Sequence, residues 1–439
     1  MLSEEAAGFS VTPVENFWSL GDILMNRKAL LLSFMLLALL AVVPAAFTQD
    51  TVTIEIWDFQ QSDLNILEAQ EAAIAAFEEA NPGIEVNVTV FPIQEYRDRL
   101  LVAVQSGEAP DMATLDQIWM AEFAASGSII PLDSYIEASG VNPDDFFPGA
   151  WGSNVWNDQT WGVPLNNDVW EQMYFNRDLF EAAGLDPDDP PNTWPELLEA
   201  CRALTNAPDQ YGIALMGSGE FITVTINSFI QSNGGSILNE DGTEAALNSA
   251  ESVEAIEYYR QIAEECAPPG TANRIEPEAI GLFTAGQAAI GFFGSWQQDT
   301  FRNTELNWDV AMMPVPEEGD TFHGTLGGWN MAIFAGSEHP DETWAYVEFL
   351  TGKDPQKTVN SLIPARLDAG REFIDEGREG ADVIFDTVNN GFPRPLSAVY
   401  PAITQAQQDM MARVWEGEDV QAAADFAAEE INEALMDVQ

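Results

Sequence analysis

The sequence predicts an α/β protein of two domains, and three observations carry that prediction. The chain has 439 residues, more than one core normally organises. Its composition, 46% hydrophobic and 20% charged, belongs to a folding chain and not a disordered one. From residue 51 onward, short apolar runs of period two alternate with longer runs of helical period. That alternation is the pattern of right-handed strand–helix–strand units in a sheet layer.

The first 50 residues stand outside the alternation. Residues 1–24 read as an upstream start-site artefact or a dispensable N-terminal extension. Met25 then opens "MNRKALLLSFMLLALLAVVPAAFTQD", in which Arg27 and Lys28 form a short basic region. Ala29 to Val43 is an apolar run of 15, and Pro44, Ala45 and Ala46 supply the small residues of a cleavage site. Residues 25–46 therefore have the layout of a secretory signal peptide, with an apolar run too short for a comfortable membrane span. No cysteine follows the run, so a bacterial lipid anchor is not expected. The mature chain is expected to be exported, periplasmic or otherwise extracytoplasmic, and free of transmembrane segments.

The alternation begins with "TVTIEIWDF", where Val52, Ile54 and Ile56 mark a strand. A helix with Leu67, Ile74 and Phe77 on one face follows, stopped by "NPGI". "IEVNVTVF" is a second strand, a helix carries Tyr96, Leu100 and Val104, and "PDMATLD" is a short third strand. Ligands of parallel layers bind beyond the carboxyl ends of their strands. Those ends are Trp57-Asp58-Phe59, Phe91-Pro92 and Asp116. Further along, "QYGIAL", "AAIGFFGSW", "WDVAMMPVP" and "GGWNMAIF" read as strands. Helices are expected near 251–266 and 276–285, over "HPDETWAYVEFLTG", and through the alanine- and acid-rich tail from about 403 to 437. "QSNGGSILNEDG" reads as a turn within an amide-rich segment. No internal repeat or flexible linker separates the halves, so the chain is expected to cross between domains more than once.

Net charge is −56, with 72 acidic against 16 basic residues. Such a chain repels nucleic acid and anionic membranes. Cys201 and Cys266 both fall in expected helices, and export permits a disulfide. Nothing in the sequence fixes their distance, so a bridge and two buried thiols stay open.

Several chemistries find no support. There is no P-loop and no glycine-rich dinucleotide turn after a strand. The mature chain has His323 and His339, neither paired with cysteine at metal-site spacing, so no metal and no histidine-based triad is expected. Carboxylates are too numerous for any pair of them to signal a glycosidase. No cofactor is expected.

Tryptophan placement does carry a signal. Trp57, Trp119, Trp170, Trp296 and Trp329 each sit at or just after a strand end, most with Gly, Asn or Asp beside them. One tryptophan is ordinarily core packing. Five at strand-to-loop junctions suit a sugar, whose C–H face an indole covers while amides and carboxylates bind its hydroxyls.

The phrases "FEEANPGIEVNV", "SGEAPDMATLD", "ASGSIIPLDSYI", "WGVPLNNDVWEQMYFNRDLFEAAGL", "NTWPELLEACRALT", "FTAGQAAIGFFGSW", "GGWNMAIFAGSEHPDETWAYVEFLTG" and "AVYPAITQA" occur in this order. Together they resemble the extracellular solute-binding proteins of ABC sugar importers, of the maltose and multiple-sugar type, over residues 51–437. The resemblance implies a two-lobed periplasmic-binding-protein fold, type II-like, with a ligand cleft between lobes joined by hinge crossings. The implied lobes are 47–163 plus 312–358, and 164–311 plus 359–439. "GVPLNND" would be the first crossing, with later ones near Ala311–Pro316 and Val359–Pro364. The implied ligand positions are Trp57, Asp58, Asp116, Trp119, Asn167, Asp168, Trp296, Gly328, Trp329, Asn330, Arg394 and Tyr400, without a catalytic residue. The implied partners are a small-molecule carbohydrate and the transmembrane permease subunits of an ABC transporter, and a monomer is expected. A phosphorylated polyol is the alternative ligand, and a secreted carbohydrate-active enzyme the alternative from another class. Only Arg394 stands out as a cleft arginine for an anionic ligand.

Overall fold

The computed structural model describes residues 51–59, 64–360 and 362–436. The expected extension at 1–24 and signal peptide at 25–46 lie outside the described residues. Val52 onward forms one compact unit.

Its strands are β1 (Val52–Phe59), β2 (Ile84–Phe91), β3 (Met112–Asp116), a small hairpin of β4 (Val155–Trp156) and β5 (Gln159–Thr160), then β6 (Val163–Pro164), β7 (Asn166–Val169) and β8 (Gln172–Asn176). β9 (Tyr211–Ala214), β10 (Ala288–Phe293), β11 (Trp308–Ala311), β12 (Thr325–Gly327), β13 (Trp329–Ile333), β14 (Ile363–Pro364) and β15 (Phe392–Pro393) follow. The first sheet has the order β2-β1-β3-β13-β6. Its β1 is parallel to β2 and β3, with helices Leu64–Ala80 and Ile93–Ser106 as the connections, as the alternation predicts. The second sheet is β11-β8-β10-β9, and the third is β14-β7-β12-β15.

The sheets locate the crossings. The chain leaves the first sheet at Pro164 and joins the third at Asn166, so Leu165 alone makes the first passage. It returns from β12 to β13 through Gly328. The third passage follows helix Lys353–Thr358 and reaches β14 at Ile363. The crossing expected near Ala311–Pro316 is thus displaced to Gly328. The reason is local docking. Val315 exchanges backbone hydrogen bonds with Asn192 and Trp194, and the Trp194 indole N–H donates to the Pro314 carbonyl at 3.1 Å. Residues 312–327 therefore stay with the second and third sheets.

Other expectations meet local physics. Cys201 and Cys266 form a disulfide between helices Trp194–Leu204 and Ala250–Cys266, with Cα atoms 5.7 Å apart. The tail is two helices, Tyr400–Trp415 and Val420–Met436, because Gly417 turns the chain at φ 92°. The amide-rich segment contains a helix the sequence does not announce, Gly219–Ser232. Its run "FITVTINSF" is rich in β-branched residues and alternates apolar with polar positions as a strand would, yet it is buried on nearly all sides, so its helical period is obscured.

Candidate functional site

The ends of strands from all three sheets meet around a cavity of 460 Å³. Trp329 opens β13, Trp170 follows β7, and Trp296 lies in the short turn after β10. All three indoles line the cavity, with Asp116, Asp168, Arg378 and Arg394 between them.

Each indole has a built seat. Trp329 stacks on Phe59 with centroids 3.9 Å apart and meets Trp119 edge-on at 5.7 Å. Trp170 lies against Gly327, where a Cβ would come within 2.2 Å of Nε1. Trp296 folds over Gly294, where a Cβ would come within 2.1 Å of its six-membered ring. Gly294 thus makes room for the indole itself. Trp170 and Trp296 meet edge-on at 5.7 Å. The result is a set of fixed aromatic surfaces around a space the size of a small ligand.

The polar groups are held as firmly. Asp168 is buried; Oδ1 accepts from the Val169 N–H at 2.8 Å and Oδ2 from Ser295 Oγ at 2.5 Å. Burial pushes its carboxyl up to about 7, against the pull of Ser295 and the positive charge of Arg378. Arg394 follows β15 and is buried, its Nη2 donating to Asp116 Oδ1 at 2.6 Å and its Nη1 to Glu220 Oε1 at 3.4 Å. This ion pair joins the end of β3 in the first sheet to the end of β15 in the third. Burial raises the Asp116 carboxyl, partly offset by Arg394. Burial opposes the charge of Arg394, but Asp116, Tyr400 and Glu220 hold it above its usual range. The Arg394 guanidinium lies 5.5 Å from the Trp170 ring centroid.

Asp116, Asp168, Trp296, Gly328, Trp329 and Arg394 are therefore brought together on one cavity wall. The other expected residues lie elsewhere. Trp57 packs on Phe91 at 4.6 Å and borders a separate outer groove beside helix Ile93–Ser106. Asp58, on the other face of β1, accepts from Thr114 Oγ1 at 2.5 Å and lines a different pocket, and burial pushes it up to about 6. Strand alternation sends both side chains away from the cavity. Trp119 packs behind Trp329. Asn167 donates to the carbonyls of Ile363 and Pro364 and so ties β7 to β14. Asn330 pairs with Ser153 and Asn154. Tyr400 donates to Glu220 Oε1 at 2.5 Å, one layer behind Arg394.

Trp170 and Arg378 are among the wall residues that fall outside the expected set. Trp170 carries the strand-end signal but is absent from the residues implied by resemblance. Arg378, between helices Leu367–Gly377 and Ala381–Asn389, has no sequence signal, because "EGREGAD" has neither apolar period nor motif. Among the described residues no cluster of His, Cys, Asp and Glu could hold a metal ion, and no helix is long and apolar enough to cross a membrane.

Known proteins match this architecture. The family described as bacterial extracellular solute-binding protein matches residues 65–357. A putative binding protein of Brucella abortus is 27% identical over 334 residues, covering 74% of this chain and 76% of its own. The sn-glycerol-3-phosphate-binding periplasmic protein UgpB of Salmonella typhimurium is 26% identical over 417 residues, 87% of this chain and 92% of its own. A solved ABC transporter solute-binding protein from Thermotoga lettingae, bound with alpha-D-tagatose, superposes with a TM-score of 0.72 at 27% identity, covering 88% of this chain and all of its own. The sugar-binding protein MalE of Xanthomonas citri shares the fold at TM-score 0.77 and 24% identity, over 88% of this chain and 98% of its own. With the two-lobed architecture and the matched residues together, the chain belongs to the bacterial extracellular solute-binding proteins.

Proposed function

We propose that this protein is the extracytoplasmic receptor for a sugar or a related polyol, which it carries to the permease of an ABC transporter. The observation that carries this reading is the meeting of Trp170, Trp296 and Trp329, from three sheets, around one cavity with buried Asp168, Asp116 and Arg394. Indole faces cover the C–H surface of a pyranose, and the carboxylates and guanidinium groups bind its hydroxyls. The tagatose held by the Thermotoga lettingae protein supports this ligand class. Ligand touching both lobes stabilises their closed arrangement, and motion is taken up at Leu165, Gly328 and residues 359–360. In this reading the lobes are roughly 52–164 with 329–358, and 166–327 with 363–436, and the protein works as a monomer without turning its ligand over.

The Salmonella typhimurium relative favours a phosphorylated polyol as a second reading. Asp116, Asp168 and Asp299 line the same cavity and weigh against a phosphate dianion. A thermal-shift screen over neutral sugars, polyols and sn-glycerol 3-phosphate tests the choice, because ligand that binds the native state alone raises the melting point. A shift with sugars and stable ligand after long incubation is expected. A shift with the phosphate alone, or new reducing ends from an oligosaccharide, would contradict the reading.

A further inference from the structure

The two guanidinium groups of the cavity are in different electrostatic situations. Arg394 is 2% exposed, and both terminal nitrogens are taken, by Asp116 and Glu220. The Arg378 side chain is 7% exposed, yet its nearest carboxylate oxygen, on Asp299, is 3.8 Å away. Asp299 is itself 69% exposed and is held by Arg302 at 2.7 Å. Among the described residues, the Arg378 guanidinium makes a single hydrogen bond, a long one of 3.4 Å from Nη1 to the Gly377 carbonyl. Its Nε is buried and has no partner. The Phe373 ring centroid, 5.2 Å from the guanidinium carbon, supports the group through a cation–π contact.

A buried cation without a matched anion is costly, and a ligand anion removes that cost. Nε is closed off, but the terminal nitrogens are not: Nη2 makes no hydrogen bond among the described residues and Nη1 makes only the long one, so their N–H groups lie in a fixed plane for a carboxylate to fill. We infer that Arg378 is a specificity-determining residue, and that it takes the carboxylate of an acidic sugar, a uronate or an aldonate, bound in the tryptophan-lined cavity. This rests on the reading of that cavity as a sugar site. A single free guanidinium edge balances one charge, and the carboxylates in the same wall leave the second charge of a phosphate uncompensated. Burial keeps Asp168 protonated for part of the neutral range, which lessens its repulsion of a ligand carboxylate. The net charge of −56 is spread over the molecule, and salt screens its distant parts beyond about 10 Å at 0.1 M.

The test is calorimetric titration of wild type, Arg378→Lys and Arg378→Met, each checked for folding by its ligand-free melting curve. The probes are glucuronate, galacturonate and gluconate, the neutral sugars glucose and galactose with their disaccharides, and sn-glycerol 3-phosphate. Wild type is expected to bind an acidic sugar at least about 10-fold tighter than its neutral parent. Arg378→Met should erase that preference, and Arg378→Lys should keep part of it, since lysine retains the charge but not the planar edge. Neutral sugars binding as tightly as acidic ones, or a preference that survives Arg378→Met, would overturn this inference and leave the sugar site standing. Tighter binding of the phosphate than of any uronate or aldonate would overturn the carboxylate assignment. If none of the sugars binds, neutral or acidic, the sugar reading fails and this inference with it.

Discussion

Asn166 holds the backbone of Trp329 directly: its Oδ1 accepts the Trp329 N–H at 3.0 Å. The first crossing is thereby fixed to the second. The same side chain donates from Nδ2 to Asn360 Oδ1 at 2.8 Å, which brings in the third. Asn360 in turn donates to the Leu165 and Gln356 carbonyls, and Gln356 donates to the Pro164 carbonyl at 2.9 Å. All three side chains are buried. Gly328 sits inside this lattice at φ 155°, where a Cβ would lie 2.3 Å from the Asn166 carbonyl oxygen.

Asn166→Ala should therefore leave the Trp329 N–H and Asn360 Oδ1 buried without partners. Each orphaned group costs about 1–3 kcal/mol. Urea titration should show a midpoint lowered by that order with an unchanged slope. A midpoint within error of wild type would mean that the lattice does not hold the crossings.

The Cys201–Cys266 bridge closes a loop with a sequence separation of 65. Loop-closure entropy for that length gives about 4 kcal/mol of stabilisation. A reductant should lower the melting temperature of wild type and leave that of the Cys201→Ala/Cys266→Ala variant unmoved. Ligand affinity should hardly change, because neither cysteine lines the cavity. A reductant effect of equal size in both proteins would show that the bridge does not supply this stability.

Burial raises Asp58, Asp168 and Glu171 to about 6, 7 and 8, from ordinary values of 3.8, 3.8 and 4.5. Between those ranges the native state binds more protons than the unfolded chain, so stability falls as pH rises. Their contribution is fully present below about pH 4 and is lost progressively up to about pH 8. Each tenfold difference in proton affinity between the folded and unfolded chain is worth about 1.4 kcal/mol. Paired surface acids such as Glu372, lowered to about 2 by Lys353 and Lys357, act in the opposite sense only below about pH 4.5. In molar salt, which screens surface repulsion, the melting temperature should fall from pH 5 to pH 8. Glu171 is buried against Ser228, with Oε1 unpartnered. Glu171→Gln should flatten the upper part of that curve, because an amide does not ionise. A melting temperature that rises across this window would contradict the assignment.

The strands are legible in the sequence because their apolar positions keep a strict period or form a short unbroken run. Ile54 and Ile56 show the first pattern and Ala288 to Phe293 the second, and both segments are strands. The second crossing is not legible. Its position depends on the docking of Val315 against Asn192 and Trp194, more than 100 residues earlier in the chain. The site divides in the same way. Tryptophans at strand ends announce themselves through position, and Trp296 and Trp329 reach the cavity. Asp58 and Trp57 also end a strand, but the pleat turns them away. Arg378 arrives through the packing of two helices whose sequence carries no trace of the cavity.

Ligand is expected to rest against the indole of Trp296. That side chain is half-buried, seated on Gly294 and edge-on to Trp170. Removing about 100 Å² of indole–sugar contact at ~25 cal/mol/Å² forfeits roughly 2.5 kcal/mol, a 50- to 100-fold loss of affinity. The deciding measurement is calorimetric titration of Trp296→Ala with the sugar that wild type binds, paired with its ligand-free melting curve. A large loss of affinity and a nearly unchanged melting temperature are expected. Unchanged affinity with a steep fall in ligand-free stability would make Trp296 a core residue and place the ligand elsewhere.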